Sequence, residues 1–594
     1  MPESNKENLT WDLSPLFTGD DDPKIEVAKK EAEVATLAFV KKWQGREDYL
    51  REPAVLKEAL DEYNDLQSKS GLDGGVGYYF GLRQSTDQDN PTLKAKNQII
   101  HDFVIRLANQ IQFFMLRVAK IPLGEQEKLL NFPALTSYKH LLERLFVEAK
   151  HLLSEPEEKI LNLKADTASG AWQRLTANFI AKEEHGGKSF SEMMSLIDDR
   201  DPAVRDSAAA WLNQIFKKHL EVGEAELNAI LQDKKINDEL RGFSRPDQAR
   251  HLGDDLETPV VDAMLEAVSV RFDLSKRFYA LKAKLFGLPQ LKYHERNLPY
   301  GEVDKKYSFA ESVALVGSVL HKLDSDFGKI FDRFIVRGQV DVYPKKGKTS
   351  GAFCAGEESP TRPTYILLNH TDKLHDVLTL AHEVGHGINN ELIKEKQNAL
   401  NYGTPLATAE VASTFMEDFV LEKLAEESDE ELRLALMMMK LNDDVSTIFR
   451  QVACYRFEQE LHTAARTQGY LPKEKIGEIF QKHMASYMGE AVEISAGSEN
   501  WWVYWSHIRS FFYVYSYASG LLVSKAMQNL VRQDKKFIIQ VKEFLATGLA
   551  DSPKNIFAKM GIKIDQPKFW QQGLVEIEES LLAAENLAKK LGKV

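Results

Sequence analysis

Residues 380–392 read LAHEVGHGINNEL. On a helix, His382 and His386 stand one turn apart, with Cβ atoms about 5–6 Å from each other. That spacing lets both imidazoles reach one zinc ion at roughly 2.0–2.1 Å. Glu383 projects to one side, where it can hold a water molecule instead of the ion. The helix itself is predicted by Leu374, Val377, Leu378, Ala381, Val384 and Ile388, an apolar stripe of helical period. Asn369 to Asp372 offer cap residues before it, with Asp372 near the positive end of the dipole. Gly385 and Gly387 flank the second histidine. Each costs a helix interior about 1 kcal/mol relative to alanine, so something is expected to approach the backbone closely there.

A hydrolytic zinc site takes a third protein ligand and keeps a fourth position for water. His375 shares a face with His382 but lies two turns away, about 10 Å along the axis, and is read as a supporting or core residue. Downstream, TAEVASTFME opens another helix at residues 408–417. Glu410 is the candidate third ligand, because Ala409, Ala412 and Ser413 beside it allow two helices to pack closely. Glu417 shares its face and is placed to orient a ligand histidine. The plainer reading is two surface glutamates on an amphipathic helix.

Strand-like sequence sits just upstream of the histidines: 338–343, 350–354 and 364–368 alternate or carry β-branched residues, with Pro and Gly turns between. A small sheet next to the histidine helix is expected. Elsewhere apolar residues recur at three- and four-residue spacing through 24–42, 92–120, 205–232, 260–285 and 308–334, predicting long helices. The polar, proline-bearing run at 198–202 is the best candidate seam, giving an N-terminal helical domain at 1–200 and a catalytic domain at 201–594. That boundary is soft, and the two parts can share one core.

The net charge of −13 argues against nucleic acid as the main partner. Two cysteines, Cys354 and Cys454, allow no disulfide framework beyond one bridge and fit a reducing compartment. No apolar leader and no membrane-length apolar run is visible, so a cytoplasmic, membrane-free protein is expected and the sequons at Asn8 and Asn369 are read as chance matches.

Residues 501–520, WWVYWSHIRSFFYVYSYASG, are far richer in aromatics than the chain's 10%. On a helix Tyr513 and Tyr517 share a face and Tyr515 points elsewhere. Peptide hydrolysis by a metal-activated water develops an oxyanion, and His507 with one of these tyrosines would supply hydrogen bonds to it.

With these residues in view, the chain resembles the oligoendopeptidase F branch of the M3 zinc metallopeptidases, relatives of thimet oligopeptidase. The matching stretches are TWDLSPLF, GKTSGAFCAG, TLAHEVGHGIN, ATAEVASTFMED, FRQVACYRFEQELH and HIRSFFYVYSYASG, running from residue 10 to beyond 520. The resemblance implies a mainly α, bilobed fold with a deep central channel and one zinc ion per chain on His382, His386 and Glu410. It implies Glu383 as general base and His507 with Tyr517 as oxyanion donors. Gly351, Ala352 and Phe353 are implied as an edge strand that pairs with substrate backbone. Tyr513 and Tyr515 remain alternatives facing substrate. The implied activity is cleavage of internal bonds in short, unfolded peptides. A carboxypeptidase on the same scaffold and a catalytically silent peptide-binding protein are the rivals, the second disfavoured by Glu383.

Overall fold

Four of the five long helical stretches are interrupted in the computed structural model, which describes residues 9–301 and 305–594. Only 24–42 is a single helix, Lys24–Trp43. The stretch 92–120 divides into Pro91–Ile111 and Phe113–Ala119, and 205–232 falls across Pro202–Lys218 and Leu220–Leu240. Likewise 260–285 becomes Thr258–Ser269 and Phe272–Leu285, and 308–334 becomes Phe309–Leu323 and Ser325–Val336. None of these breaks carries proline or glycine. At Asp324 the backbone turns extended, and its carboxylate accepts the amides of Asp326 and Phe327 at 2.8 and 3.4 Å, capping the next helix.

The chain forms two compact units, and neither follows the 200/201 seam. One comprises Met1–Glu155, Asp304–Leu424 and Met527–Gly561; the other comprises Pro156–Val303, Ala425–Ala526 and Ile562–Val594. The polar run at 198–202 is a local break only, where Asp201 caps the helix starting at Pro202 by accepting the amide of Ala203.

In the first unit three short strands, β1 (Val340–Asp341), β2 (Phe353–Ala355) and β3 (Tyr365–Leu367), form a sheet of order β1-β3-β2. β1 runs parallel to β3 with Val340 opposite Ile366, and β2 runs antiparallel to β3 with Cys354 opposite Ile366. The first described residues lie against this sheet. Val342 N donates to Leu9 O at 3.0 Å and Asp12 N to Gly338 O at 2.8 Å. The Trp11 indole reaches Ile366 O and the Tyr365 hydroxyl reaches Asp12 O, both at 2.8 Å.

From β3 the chain enters helix α1 (Leu374–Lys396), whose six stripe residues are all buried. Asp372 is not its capping carboxylate. It sits at φ 63°, outside the helix, and Asp376 in the first turn accepts the amides of Thr371 and Lys373 at 2.7 and 2.9 Å. Helix α2 (Val411–Glu426) packs on α1 so closely that a Cβ on Gly385 would lie 2.6 Å from Ser413 Cα and 2.7 Å from Ala412 O. On Gly387 a Cβ would meet the Phe334 ring at 2.7 Å. The approach expected from the two glycines is therefore real, and its agents are a neighbouring helix and an aromatic ring. The second unit contains helix α3 (Arg450–Gln468) and the start of α4 (Tyr515–Gln533).

Candidate active site

Both histidines of α1 present Nε2 to the same carboxylate oxygen. Glu410 Oε2 lies 3.3 Å from His382 Nε2 and 3.4 Å from His386 Nε2. Two donors about 2.05 Å from a tetrahedral ion stand about 3.3–3.4 Å apart, so this spacing is that of ligands around one zinc-sized cation. The three ligand atoms all fall within 4.8 Å of one another, the one such group among the described residues. Glu410 is the residue before the first turn of α2. Its carbonyl accepts the Thr414 amide at 3.1 Å, and the Ser413 hydroxyl donates to Oε2 at 2.9 Å. Ser413, valued in the sequence only for its small size, thus also fixes the carboxylate rotamer.

Glu417 lies about two turns further along α2 on the same face and accepts from His382 Nδ1 at 3.0 Å. Holding the proton on Nδ1 leaves the Nε2 lone pair directed at the cation position. Burial alone would lower the His382 pKa; hydrogen bonding to Glu410 and Glu417 outweighs it and lifts the imidazole to about 10. Burial would raise Glu410, but the two imidazoles hold it well below the usual carboxylate range. Glu383 is 7% exposed, and its burial raises its pKa. The donor set of two imidazoles and a carboxylate, with His382 oriented by Glu417 and Glu410 by Ser413, fits a divalent metal.

A cavity of about 380 Å³ opens on this centre, with Gly351, Ala352, His382, Glu383 and Glu417 on its walls. Asn369, read as a cap residue and a chance sequon, shapes the rim: its Nδ2 donates to Thr349 O and Gly351 O at 2.8 and 2.6 Å. The sequon at Asn8 lies outside the described residues. His375 is exposed on the cavity wall and is no core residue. Of the expected substrate strand only Phe353 belongs to β2, and its ring packs edge-on against Trp11 at 6.1 Å, away from the cavity lining. Gly351 and Ala352 precede the strand and reach the cavity. β2 pairs with β3 on one side only, so it is the sheet edge.

The sequence model of peptidase family M3 matches residues 195–576, and that of oligopeptidase F matches residues 118–182. The chain belongs to peptidase family M3. This M3 metallopeptidase is 24% identical over 98% of both chains to an oligoendopeptidase F homolog of Lactococcus lactis subsp. lactis. It is 23% identical to the oligopeptidase PepF of Bacillus subtilis, over 96% of this chain and 87% of that one. Its fold is that of oligoendopeptidase-F from Enterococcus faecium (TM-score 0.70, 18% identity, covering 96% of this chain and 99% of that one). PZ peptidase A, solved with an inhibitor, shares the fold too (TM-score 0.73, 16% identity, 94% and 98% covered). Among the described residues, no helix of this M3 metallopeptidase is long and apolar enough to cross a membrane.

The aromatic stretch of this M3 metallopeptidase lies in the second unit, and α4 begins only at Tyr515. His507, Tyr513 and Tyr517 are half-buried and cluster together. The His507 ring stacks on Tyr513 at 5.5 Å, and Tyr517 lies 6.0 Å from His507 and 5.7 Å from Tyr513. Tyr515 is a correction to the substrate-facing set: it is 1% exposed, and its hydroxyl donates to buried Asp254 at 2.7 Å. Phe511 and Phe512 have φ values of 45° and 58°, a conformation that side chains rarely adopt. A buried carboxyl group and a partly exposed guanidinium hold them there. Glu458 on α3 accepts the Phe512 amide at 2.7 Å, and Arg250 donates to the carbonyls of Ser510 and Phe511 at 3.0 and 3.3 Å. Arg509 makes a buried two-point contact with Glu226 at 2.8 and 2.6 Å. The sequence reading passed over this scaffold, because its members are spread over some 280 residues and carry no motif.

Proposed function

We propose that this M3 metallopeptidase is a zinc-dependent oligoendopeptidase, with His382, His386 and Glu410 as metal ligands and Glu383 as general base. The reading rests on the spacing of both Nε2 atoms from one Glu410 oxygen, 3.3 and 3.4 Å. A zinc ion held by these three residues would supply Lewis-acid chemistry for the scissile carbonyl and the attacking water. Glu383, on the wall of the same cavity, takes the water's proton as the carbonyl is attacked and returns it to the departing amine. Glu417 and Ser413 keep the ligands in register through both steps. The backbone of Gly351 and Ala352, continuous with the edge strand β2, receives the peptide as an added strand. His507 and Tyr517 are assigned as oxyanion donors by the resemblance of their segment, and Tyr513 as a substrate contact. Short peptides, not folded proteins or nucleic acid, are the substrates.

The test is Glu383→Gln. It is expected to retain one zinc per chain by elemental analysis while turnover of a quenched peptide falls by about 10²–10⁴-fold. Wild-type turnover in that variant rejects the assignment. Product masses from a peptide blocked at both ends decide between internal cleavage, expected here, and the carboxypeptidase alternative, which would leave that peptide intact.

A further inference from the structure

The second unit contains a cavity of about 270 Å³ that the reading above leaves unused, apart from sharing His507. Its lining includes Arg296, Arg450, Gln451, Ser506 and His507 beside Tyr293 and Tyr504, and among the described residues no aspartate, glutamate or lysine joins them. Three polar atoms there are sealed from solvent without a hydrogen-bond partner: Arg450 Nε, Gln451 Oε1 and His507 Nδ1. Each such atom ordinarily costs about 1–3 kcal/mol; Arg450 Nε is a donor that an acceptor would satisfy, whereas Gln451 Oε1 itself accepts and calls for a donor.

The character of a partner group follows from the walls. Arg296 is 8% exposed, gives Nη1 to the Tyr293 carbonyl at 2.7 Å, and lies over the rings of Tyr293 and Trp501 at 4.2 and 5.0 Å. Two guanidinium groups facing a void that no carboxylate lines call for an anion, and a planar carboxylate matches the guanidinium fork. His507 adds no third cation, since burial and the nearby Arg450 charge hold its pKa below the ordinary value. Phe480, Met484 and Trp505 add apolar surface to the same lining. The volume suits one amino-acid residue.

We propose that this cavity receives the free C-terminal carboxylate of a peptide together with its last, apolar side chain. The claim that the carboxylate belongs to a substrate rests on the peptidase reading; the binding of such a carboxylate does not. The experiment therefore has two arms. In the first, N-acetyl-phenylalanine and N-acetyl-phenylalanine amide are titrated by calorimetry into the full-length protein stripped of metal. The acid is expected to bind at least tenfold more tightly than the amide, and Arg450→Gln to erase the difference. Equal binding of acid and amide by the wild type overturns the proposal without any variant, as does an acid preference that Arg450→Gln leaves intact. In the second arm, kcat/KM is compared for one peptide ending in a free acid or an amide. At least a tenfold advantage for the acid, carried by KM, is expected. Acid binding without that advantage overturns the assignment to substrate, showing that the cavity takes a free carboxylate instead. Absence of any cleavage refutes the peptidase reading while the first arm still decides the site.

Discussion

Glu417 illustrates how much a single carboxylate does without touching the cation. Its one contact at the centre is His382 Nδ1, at 3.0 Å. Glu417→Ala is expected to weaken zinc binding by about 10–100-fold, read by competition with a chromogenic chelator, while His382→Ala abolishes it. Glu458 gives a second residue-scale outcome. Burial pushes its carboxyl up to about 8, against the opposing hydrogen bond from the Phe512 amide. In the unfolded chain a glutamate titrates near 4.3. The folded protein thus retains a proton that the unfolded chain has released, and stability is lost as pH rises through this interval, levelling off above about 8. Glu458→Gln still accepts the Phe512 amide but does not titrate. Relative to wild type it should gain stability with rising pH, by about 4 kcal/mol at pH 9, measured by unfolding across pH 5–9. At this scale the convergence of His382 and His386 on Glu410 was legible and Glu458 was not. Two histidines and a glutamate on one turn of helix carry their geometry in their spacing. A buried glutamate in CYRFEQELH looks like any other amphipathic helix residue until its neighbours 54 positions away are known.

Between elements, the two glycines of α1 have different neighbours and should respond differently. At Gly385 an added methyl would meet the backbone of α2 at Ala412 and Ser413, next to the proposed ligand Glu410, and a backbone cannot swing aside. Gly385→Ala should cost about 1–3 kcal/mol and also reduce zinc affinity, because the helices that carry the ligands are forced apart. Gly387→Ala meets the Phe334 ring instead and should destabilise with zinc affinity retained. Thermal unfolding and metal content, measured on both variants, separate the two outcomes. The sequence showed that something must lie close to these glycines and left its identity open. Helix ends were read least well. Gln112, His219 and Asp324 carry no strong breaker, and the apolar period passes through them because both flanking helices bury a face. Tyr515 was misplaced for a related reason: an almost unbroken aromatic run gives no period from which to tell the buried face.

At the scale of the whole molecule, each compact unit draws on three separate segments, so the chain passes between them five times. A linear boundary near residue 200 has no way to express that, since period and composition report local order and the units are made by contacts hundreds of residues apart. A fragment of residues 201–594 lacks Leu9 to Asp12, which bond to the strands preceding α1. It should bind zinc at least tenfold more weakly than the full chain, by equilibrium dialysis. Stripping metal from the intact protein should lower its melting temperature, by the equivalent of about 4 kcal/mol when free zinc had been a thousandfold above its Kd, and zinc addition should restore it. The threading of residues 9–12 along the sheet also bears on how the protein is made. Residues 9–12 must wait for strands some 330 positions behind them, and the unit holding the proposed metal ligands closes only after Gly561 has emerged. A nascent chain therefore lacks a complete first unit, and with it the proposed peptidase centre, until Gly561 has been added and freed to fold.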